Sequence, residues 1–381
     1  MTKSTSSQGV TRREFLAAAA GIGIGLAVAP RIAAQPAYAR PPDRPNVVLI
    51  IVDTLRADKC GCYGYHIDTT PGLDRLAANG VIFDRVISQC SWTRPSIGSL
   101  ITSQHARDVG LYEERGQALS LAVPTLPEVL KAEGYQTYGY TANPNINSRY
   151  NFNQGFDFYQ DSNVLFSWMK GADDAVRGET ATLPPATQLF GQVLDMAREA
   201  PAAPHYVQMN VMEVHEWYMQ RTMIRPDYRE MFLDSGESFP RYLQSMRQVT
   251  DDISLFVEEL TSIPGWENTL FVITSDHGEG LDSHPNVPNS DKHGWLLYES
   301  HVVVPWILYS KAWTPARGCV RQPVRLMELA PTLLDFLGIS APESMEGESL
   351  MPVIHRERET VPLPEYFITE TYWGYANKTA V

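Results

Sequence analysis

The chain has little cysteine, a shortage of positive charge and no long apolar span, and each shortage excludes a class of protein. Four cysteines in 381 residues are too few for a disulfide scaffold and lack the spacing of a zinc site; they allow one disulfide without requiring it. Because 31 basic residues face 44 acidic ones, the net charge is −13, and neither nucleic acid nor an anionic membrane is expected as the main partner. No linker, charge run or internal repeat divides the chain, which favours one large α/β domain.

The apolar segment near the N-terminus is typical of an export signal. Arg12 and Arg13 precede a Gly/Ala-rich apolar run that is too short to span a bilayer comfortably. The pattern predicts a twin-arginine signal peptide over residues 1–39, cleaved after Ala37–Ala39; an uncleaved anchor is the alternative. Its removal would change the net charge to −16. We therefore expect a periplasmic or extracellular protein that the twin-arginine translocase exports already folded, with no stable membrane span.

Four apolar, β-branched runs each end at polar side chains. The runs are "NVVLIIVDT", "YQTYGYTAN", "HYVQMNVMEVH" and "LFVITSDHGE", and their polar endings are Asp53, Asn143, Glu213 to His215, and Asp276 with His277. Segments between them have helical spacing, as in residues 241–260 and in 326–338, where Gly338 closes the pattern. This alternation predicts a doubly wound, mostly parallel sheet flanked by helices.

The polar endings are predicted to meet at one rim of that sheet. Ligands of open α/β sheets bind beyond the carboxyl ends of the strands. Taken singly, the two aspartates are explained as helix caps, Asn143 as a turn residue and His215 as a loop histidine. All four endings at strand ends together favour a functional site.

Asp53, Asp276 and His277 form a candidate metal site. Two carboxylates and an imidazole suit Mg, Ca, Mn or Zn better than a soft metal. The stretch "CSWTRPSIGSL" supplies a candidate nucleophile, because Thr93 precedes a predicted helix N-terminus that favours an anion beside its hydroxyl. A bound metal would lower the pKa of that hydroxyl. The alternative is that Thr93 is a plain N-cap.

The blocks of the chain resemble, in their order, the sulfatases of the alkaline-phosphatase superfamily. The resemblance covers roughly residues 44–355 and is most specific in "VDTLRAD" and "SDHGE", with "SWTRPSIGSLIT", "VMEVHEWY" and "KHGWLLYE" among the other blocks. It implies an alkaline-phosphatase-like α/β catalytic domain over residues 40–355. Residues 356–381 resemble only the start of the family's C-terminal antiparallel subdomain, which we expect to be short or missing.

The resemblance also implies roles for individual residues. A divalent metal is expected on Asp53, Asp276, His277 and the oxygen of Thr93. His215 and His293 are expected to reach the anionic group of the substrate or its leaving oxygen. Arg94, Asn143 and Lys292 are further candidates for contact with an anionic ester substrate, while His284 stays undecided. A second metal held by Glu213 with His215 is the less favoured alternative to a single ion.

The chain departs from the common sulfatase pattern at the nucleophile. Most sulfatases have a Cys-x-Pro-Ser-Arg block whose cysteine becomes formylglycine, and here the block is Thr93 to Ile97, with Cys90 three places too early. A threonine ester cannot expel sulfate by elimination, so water must attack it. Relatives with threonine here include phosphoethanolamine and phosphoglycerol transferases and nucleotide phosphodiesterases. Thr54 stands where many sulfatases have a second acidic ligand.

These observations favour an exported, metal-dependent hydrolase of sulfate or phosphate esters, with Thr93 as the covalent nucleophile. The alternatives are a phosphotransferase that passes the same group to an acceptor other than water, a phosphodiesterase, and a pseudoenzyme that binds the metal and an anionic ligand without turnover.

Overall fold

The apolar runs form strands of one mostly parallel sheet in a computed structural model of the chain. The structure describes residues 44–112, 117–161, 183–200, 204–217, 224–281, 283–313, 315, 318–371 and 378–380. The predicted signal peptide, residues 1–39, lies outside these ranges. In the part of the chain that the structure describes, no helix has both the length and the apolarity that crossing a membrane requires.

The strands in chain order are β1 (Asn46–Val52), β2 (Val81–Phe83), β3 (Val86–Ile87), β4 (Gln136–Thr141), β5 (Phe158–Gln160), β6 (His205–Val211), β7 (Thr269–Thr274), β8 (Val303–Val304), β9 (Trp306–Tyr309), β10 (Cys319–Val320), β11 (Val324–Arg325), β12 (Thr369–Thr371) and β13 (Lys378–Ala380). The α-helices are α1 (Pro71–Ala78), α2 (Thr93–Thr102), α3 (Leu126–Ala132), α4 (Ala186–Glu199), α5 (Pro240–Leu260), α6 (Glu299–Val302), α7 (Leu329–Phe336) and α8 (Met351–Ile354). Short 3-10 helices cover Ala57–Lys59, Gly61–Tyr63, Pro144–Ile146, Ser148–Tyr150, Pro226–Tyr228 and Leu326–Glu328.

The main sheet has eight strands in the order β10-β2-β9-β7-β1-β6-β4-β5. All neighbouring pairs are parallel except those of β9, which runs antiparallel to β2 and β7. Strand β1 lies in the middle, with Ile51 opposite Thr274 of β7 and Val52 opposite Val211 of β6. The carboxyl ends of these strands therefore meet at one edge, as the prediction of a parallel sheet requires.

Helices cover both faces of this sheet, because the central strands are apolar on both sides. All seven residues of β1 are buried. One face, with Val48 and Ile50, packs in a cluster with side chains of α1, α4 and α5. On the other face, Leu270 and Val272 of β7 lie against α7. Burying β1 from both sides explains why its sequence is a continuous apolar run rather than an alternating one.

The predicted helices are confirmed. Residues 241–260 lie in α5, whose buried apolar positions recur at helical spacing from Tyr242 to Leu260, as an amphipathic helix on a sheet requires. The segment 326–338 forms a 3-10 turn and then α7, and Gly338 follows with φ of 75°. Glycine adopts that left-handed conformation without steric cost, so it ends the helix.

Two smaller sheets accompany the main one. Strands β11, β3 and β8 form a three-stranded sheet, and β12 pairs with β13 in an antiparallel sheet within residues 356–381. Strand β12 also bonds to a distant segment: Thr369 Oγ1 donates to the carbonyl of Ser88, and the backbone N–H of Glu370 donates to the carbonyl of Gln89. Strand β12 is thus bonded to the segment that leads into α2. The division into domains at residue 355 stays a prediction.

Candidate active site

The polar residues at the strand ends converge. Asp53 follows β1, Asn143 follows β4, and Asp276 and His277 follow β7; each of these four side chains has 0% exposure. Thr93, the first residue of α2, is 2% exposed and lies among them. The side chains of Asp53 and His277, 224 residues apart in the sequence, are thereby brought within 3.7 Å of each other.

Asp53, Asp276 and His277 can offer one ligand atom each to a cation. These atoms all lie within 4.8 Å of one another. His277 Nε2 is 3.4 Å from Asp276 Oδ2 and 3.7 Å from Asp53 Oδ1. Both of these carboxylate oxygens are buried without a hydrogen-bond partner among the described residues. Because a buried charged oxygen without a partner is costly, the arrangement fits a divalent cation between the three side chains.

The remaining polar atoms of the three side chains are held by the protein. Asp276 Oδ1 accepts from the backbone N–H of His277 at 2.9 Å and of Thr54 at 3.3 Å. His277 Nδ1 lies 2.9 Å from the carbonyl of Gly278, so this nitrogen carries the proton and Nε2 keeps its lone pair. Asp53 Oδ2 accepts from Asn143 Nδ2 at 2.6 Å. Each of the three side chains thus has one polar atom held by a hydrogen bond, and its other polar atom faces the space between the three residues.

Thr54 does not replace the second acidic ligand of many sulfatases. Its hydroxyl donates to the carbonyl of Asp53 at 2.7 Å, so the side chain contributes no carboxylate. Its φ of 60° is unusual for a β-branched residue, and such strain costs on the order of 1–3 kcal/mol. The backbone N–H of Thr54 nevertheless reaches Asp276 Oδ1, which links the strained turn after β1 to the ligand group.

The pKa shifts of Asp53, Asp276 and His277 all disfavour the charged forms of these buried side chains in the absence of a cation. Burial, with repulsion from Asp276, raises the pKa of Asp53 well above its usual range. Burial also raises the pKa of Asp276. Burial, and then the charge of His293, lower the pKa of His277 well below its usual value, so this imidazole is neutral and able to act as a ligand. A cation would compensate the two buried carboxylates.

The Thr93 hydroxyl points into the site and does not cap its helix. Helix α2 begins at Thr93, its N-cap is Trp92, and no side chain caps it. Thr93 Oγ1 accepts from Asn143 Nδ2 at 3.2 Å and lies 3.3 Å from Asp53 Oδ2 and 3.4 Å from His277 Nε2. The plain N-cap interpretation does not describe this geometry.

Two serines anchor the start of α2 to the metal strand. Ser88 Oγ and Ser96 Oγ are each 2.6 Å from the carbonyl oxygen of Asp276, to which they donate. They fix Thr93 relative to Asp276 although neither touches the ligand atoms. Neither serine was predicted from the sequence; the signal available for Ser96 was its place three residues after Thr93 on the same helix.

His215 and His293 stand together beside the ligand group. Their ring centroids are 4.9 Å apart, and the ring of His293 is 4.7 Å from that of His277. Each Nδ1 faces a buried carboxylate, at 2.9 Å for His215 with Glu216 and 3.1 Å for His293 with Glu279. Burial lowers the pKa of His293, but the charge and hydrogen bond of Glu279 outweigh it and raise the pKa overall.

The two glutamates are functional candidates that sequence reasoning missed. Glu216 directly follows His215, and Glu279 follows the "SDHG" stretch, so an acid beside each histidine block was the available signal. A carboxylate on Nδ1 fixes the tautomer and leaves Nε2 for other chemistry.

The other predicted contacts are arranged differently. Arg94 is buried, donates from Nε to the carbonyl of Asn145 at 3.0 Å, and has Nη2 without a partner among the described residues. Lys292 is exposed. Glu213 accepts from the backbone N–H of Ala186 at the start of α4. His284 lies on the ring of Tyr298, with centroids 3.7 Å apart.

One group of three side chains suited to a metal is found within the described ranges, namely Asp53, Asp276 and His277. Glu213 is not in that group. All four cysteines are free, so the disulfide that the sequence allows does not form. Cys90 is buried, and burial raises the pKa of its thiol, which opposes a nucleophilic role.

The mostly parallel central sheet flanked by helices is consistent with an alkaline-phosphatase-like α/β fold, and the candidate metal group lies at the ends of its central strands. The sequence model named Sulfatase matches residues 45–339. The chain therefore belongs to the sulfatase family. The prediction of a sulfuric- or phosphoric-ester hydrolase is confirmed at the level of the family, and the predicted fold class is confirmed.

Individual relatives are distant. The chain is 25% identical over 347 residues to the ulvan-active sulfatase of Formosa agariphila, covering 82% of this chain and 65% of that protein. It is 23% identical over 381 residues to the Delta 4,5-hexuronate-2-O-sulfatase of Bacteroides thetaiotaomicron, covering 89% and 77%. The chain thus spans 65% of the length of the first of these relatives and 77% of the second.

Solved structures of the same fold include a phosphonate monoester hydrolase from Silicibacter pomeroyi, with a TM-score of 0.64, 19% identity, and 86% of this chain and 80% of that chain covered. A 2-O GAG sulfatase has a TM-score of 0.62 at 19% identity, with 86% and 78% covered. At these identities the likeness shows the fold.

Proposed function

We propose that this chain is an exported, metal-dependent hydrolase of sulfate or phosphate esters in which Thr93 is the covalent nucleophile. The observation that carries the proposal is the position of Thr93 Oγ1, buried within 3.4 Å of Asp53 Oδ2, Asn143 Nδ2 and His277 Nε2. A hydroxyl that only capped a helix would face backbone N–H groups instead.

Asp53, Asp276 and His277, with the oxygen of Thr93, are the residues that would hold the cation. A divalent ion there supplies Lewis acidity, which lowers the pKa of a neighbouring hydroxyl and neutralises the oxygens of the transferred group. The donor set suits Ca, Mg, Mn or Zn, and one such group of ligands among the described residues supports one ion.

The chain's own residues account for the proton transfers. Thr93 Oγ1 bonds to the sulfur or phosphorus of the ester, and its proton passes to Asp53 Oδ2, which is 3.3 Å away. The bond from the sulfur or phosphorus to the ester oxygen then breaks. The alcohol leaves with a proton from His293, whose raised pKa suits an acid. Water then attacks the sulfur or phosphorus of the ester on Thr93 and gives a proton to His293, which became neutral in the first half of the reaction. The bond to Oγ1 breaks, and Oγ1 takes its proton back from Asp53 Oδ2. His215, 4.9 Å from His293 between ring centroids, is placed to assist the attack of water.

The substrate is an anionic ester. The names of the relatives describe sulfatases active on ulvan and on a hexuronate, and one protein of the same fold is a phosphonate monoester hydrolase, so both sulfur and phosphorus esters are considered as substrates. Lys292 is the proposed contact with the transferred group, and Asn143 is the proposed contact with the oxygen of Thr93 that carries this group. A phosphotransferase or phosphodiesterase differs from this proposal only in the acceptor or the ester, since any threonine ester needs a second acceptor.

The test compares wild type, Thr93→Ala and Thr102→Ala on 4-nitrophenyl sulfate and 4-nitrophenyl phosphate, with each of the four cations and with a chelator. Thr102 is the matched control because it is buried on the same helix and its hydroxyl only returns to the carbonyl of Gly98. We expect Thr93→Ala to lose several orders of magnitude in turnover, while Thr102→Ala stays active. An N-cap loss would cost only about 1 kcal/mol of stability. Full activity of Thr93→Ala would remove the nucleophile from the proposal.

Adding glycerol or ethanolamine distinguishes hydrolysis from transfer. A transferase would form the phosphorylated or sulfated acceptor in preference to inorganic phosphate or sulfate. A pseudoenzyme would bind the cation and release neither product.

Export through the twin-arginine route is part of the proposal and rests on Arg12 and Arg13. Replacing both arginines by lysine should keep the chain in the cytoplasm of a host with a twin-arginine translocase, whereas the natural sequence should reach the periplasm or medium. Equal export of both forms would contradict this route.

A further inference from the structure

Arg94, the residue after the nucleophile, is bonded to a loop. Its Nε donates to the carbonyl of Asn145 at 3.0 Å and its Nη1 to that of Gln117 at 3.4 Å. The guanidinium carbon lies 3.6 Å from the centroid of the Tyr150 ring. Arg94 is 1% exposed, so a charged group has been buried where two carbonyls and an aromatic face receive it. The planar guanidinium group can contact these three partners at once, whereas the ammonium group of a lysine cannot.

The loop that Arg94 holds carries Asn143. The backbone N–H of Asn145 donates to Asn143 Oδ1 at 2.8 Å. Because Oδ1 must accept there, the Nδ2 end of the amide is turned toward the site. Its two hydrogens have two partners, Asp53 Oδ2 at 2.6 Å and Thr93 Oγ1 at 3.2 Å.

We infer that Asn143 is a catalytic residue that donates to the nucleophile's oxygen, and that Arg94 is a positioning residue that acts through Asn145 and Asn143. The inference rests on the proposed function, because it takes Thr93 as the nucleophile. A donor fixed on Oγ1 stabilises the negative charge that develops there as its proton leaves. The same amide occupies Asp53 Oδ2 and leaves Oδ1 to the ligand group.

The competing role for Arg94 is direct contact with the substrate's anionic group through its unpartnered Nη2. The two roles make opposite predictions for Arg94→Lys. A lysine keeps the positive charge and would preserve much of the affinity of an anion contact. It has no fork for the two carbonyls and no plane for the Tyr150 ring, so it would not restore the position of Asn143.

The experiment measures kcat and KM on 4-nitrophenyl phosphate and 4-nitrophenyl sulfate for Arg94→Lys, Arg94→Met, Asn143→Ala and the double variant Arg94→Met/Asn143→Ala. We expect Asn143→Ala to lower kcat by about 100-fold, the effect of removing one donor from a developing oxyanion. Both Arg94 variants should lower kcat by roughly 10-fold to 100-fold with KM little changed, because they displace a group at the reacting atom. The double variant should be no slower than Asn143→Ala, because residues that act as a unit are not additive.

Two further variants separate this effect from a loss of folding or of charge. Arg149→Met removes an exposed arginine of the same loop and should leave kcat unchanged. Tyr150→Leu removes the stacked ring and keeps the guanidinium, so it tests the same support if Arg94→Met unfolds early in a thermal melt. It should lower kcat in the same direction as Arg94→Met.

The inference is overturned if Arg94→Lys restores wild-type kcat, if Arg94→Met raises KM without changing kcat, or if the losses multiply in the double variant. These outcomes leave the proposed function standing when Thr93→Ala is inactive. Wild-type activity of Thr93→Ala would instead overturn the proposed function, and this inference with it.

Discussion

Asp276→Asn should stabilise the metal-free protein and reduce the additional stability that the protein gains from a bound metal. Asp276 Oδ1 accepts from the backbone N–H groups of His277 and Thr54, and the amide oxygen of asparagine can accept the same two bonds. The amide nitrogen would take the place of Oδ2, 3.4 Å from His277 Nε2, to which it can donate. The substitution therefore keeps shape and hydrogen bonds while it removes one of two buried negative charges.

The magnitude follows from the pKa of Asp276. Burial raises it from 3.8 to about 6, and the folded carboxylate is thus harder to ionise than the unfolded one. At about 1.4 kcal/mol per pKa unit, this costs about 3 kcal/mol above pH 6 in the absence of a cation. The cost falls as pH drops from about 6 to about 4, because the folded group is then protonated. A cation at about 100 times its dissociation constant would contribute about 2.7 kcal/mol to the wild type.

Thermal melts in a chelator and in each divalent cation measure both effects. In chelator at neutral pH, Asp276→Asn should melt higher by up to about 6 °C, taking roughly 2 °C per kcal/mol for a chain of this size. Cations should raise the Tm of the wild type and leave that of the variant nearly unchanged. Glu213→Gln is the matched control, since it also neutralises a buried carboxylate, but outside the ligand group, and should keep the full response to cations. A variant that melts lower than wild type in chelator, or that responds to cations as wild type does, would refute this reasoning.

Three further predictions concern residues around the ligand group. Burial raises the pKa of Glu213 to about 7, so stability should fall by about 3 kcal/mol as pH rises from about 4.5 to 7, and Glu213→Gln should flatten this slope in denaturant melts. Cys90→Ala should keep activity, and intact-protein mass spectrometry should find no formylglycine at Cys90, because its buried thiol is out of register with the nucleophile. His215→Ala and His293→Ala should lose about 100-fold or more in turnover while dialysed protein keeps its metal, because neither belongs to the ligand group.

Each of these has a contradicting result. An unchanged pH slope in Glu213→Gln would mean that another group sets it. An aldehyde at Cys90 would return the chain to formylglycine chemistry. Loss of metal from His293→Ala would make that histidine a ligand.

The parallel sheet and the convergence of the polar residues at its strand ends could be predicted from the sequence, because the signals for both are local. A continuous apolar run such as β1 is a strand buried on both faces, and a polar residue directly after it lies at the carboxyl end. Asp53 and Asp276 could therefore be placed at one rim before the strand order was known. That β1 is flanked by β6 and β7 depends on packing over the whole chain, which no window of sequence contains.

The partners of the site residues could not be predicted, because they come from distant segments. A charged residue beside the nucleophile favours an anion contact, yet Arg94 bonds to carbonyls 51 and 23 residues away. Glu213 ends a strand like the ligands do, but its carboxylate meets the start of α4. The sequence signal for a helix start could not decide the role of Thr93, since an N-cap residue and a nucleophile at a helix N-terminus occupy nearly the same place in the sequence.

The central claim is that Thr93 carries the transferred group, and the most direct measurement is the mass of its peptide during turnover. Wild-type protein with its cation would be quenched in acid at steady state on 4-nitrophenyl phosphate or 4-nitrophenyl sulfate, digested and sequenced by tandem mass spectrometry. We expect one added phosphoryl or sulfuryl group on Thr93, present with cation and absent in chelator. Steady turnover with an unmodified Thr93, or with the group on any other residue, would contradict it.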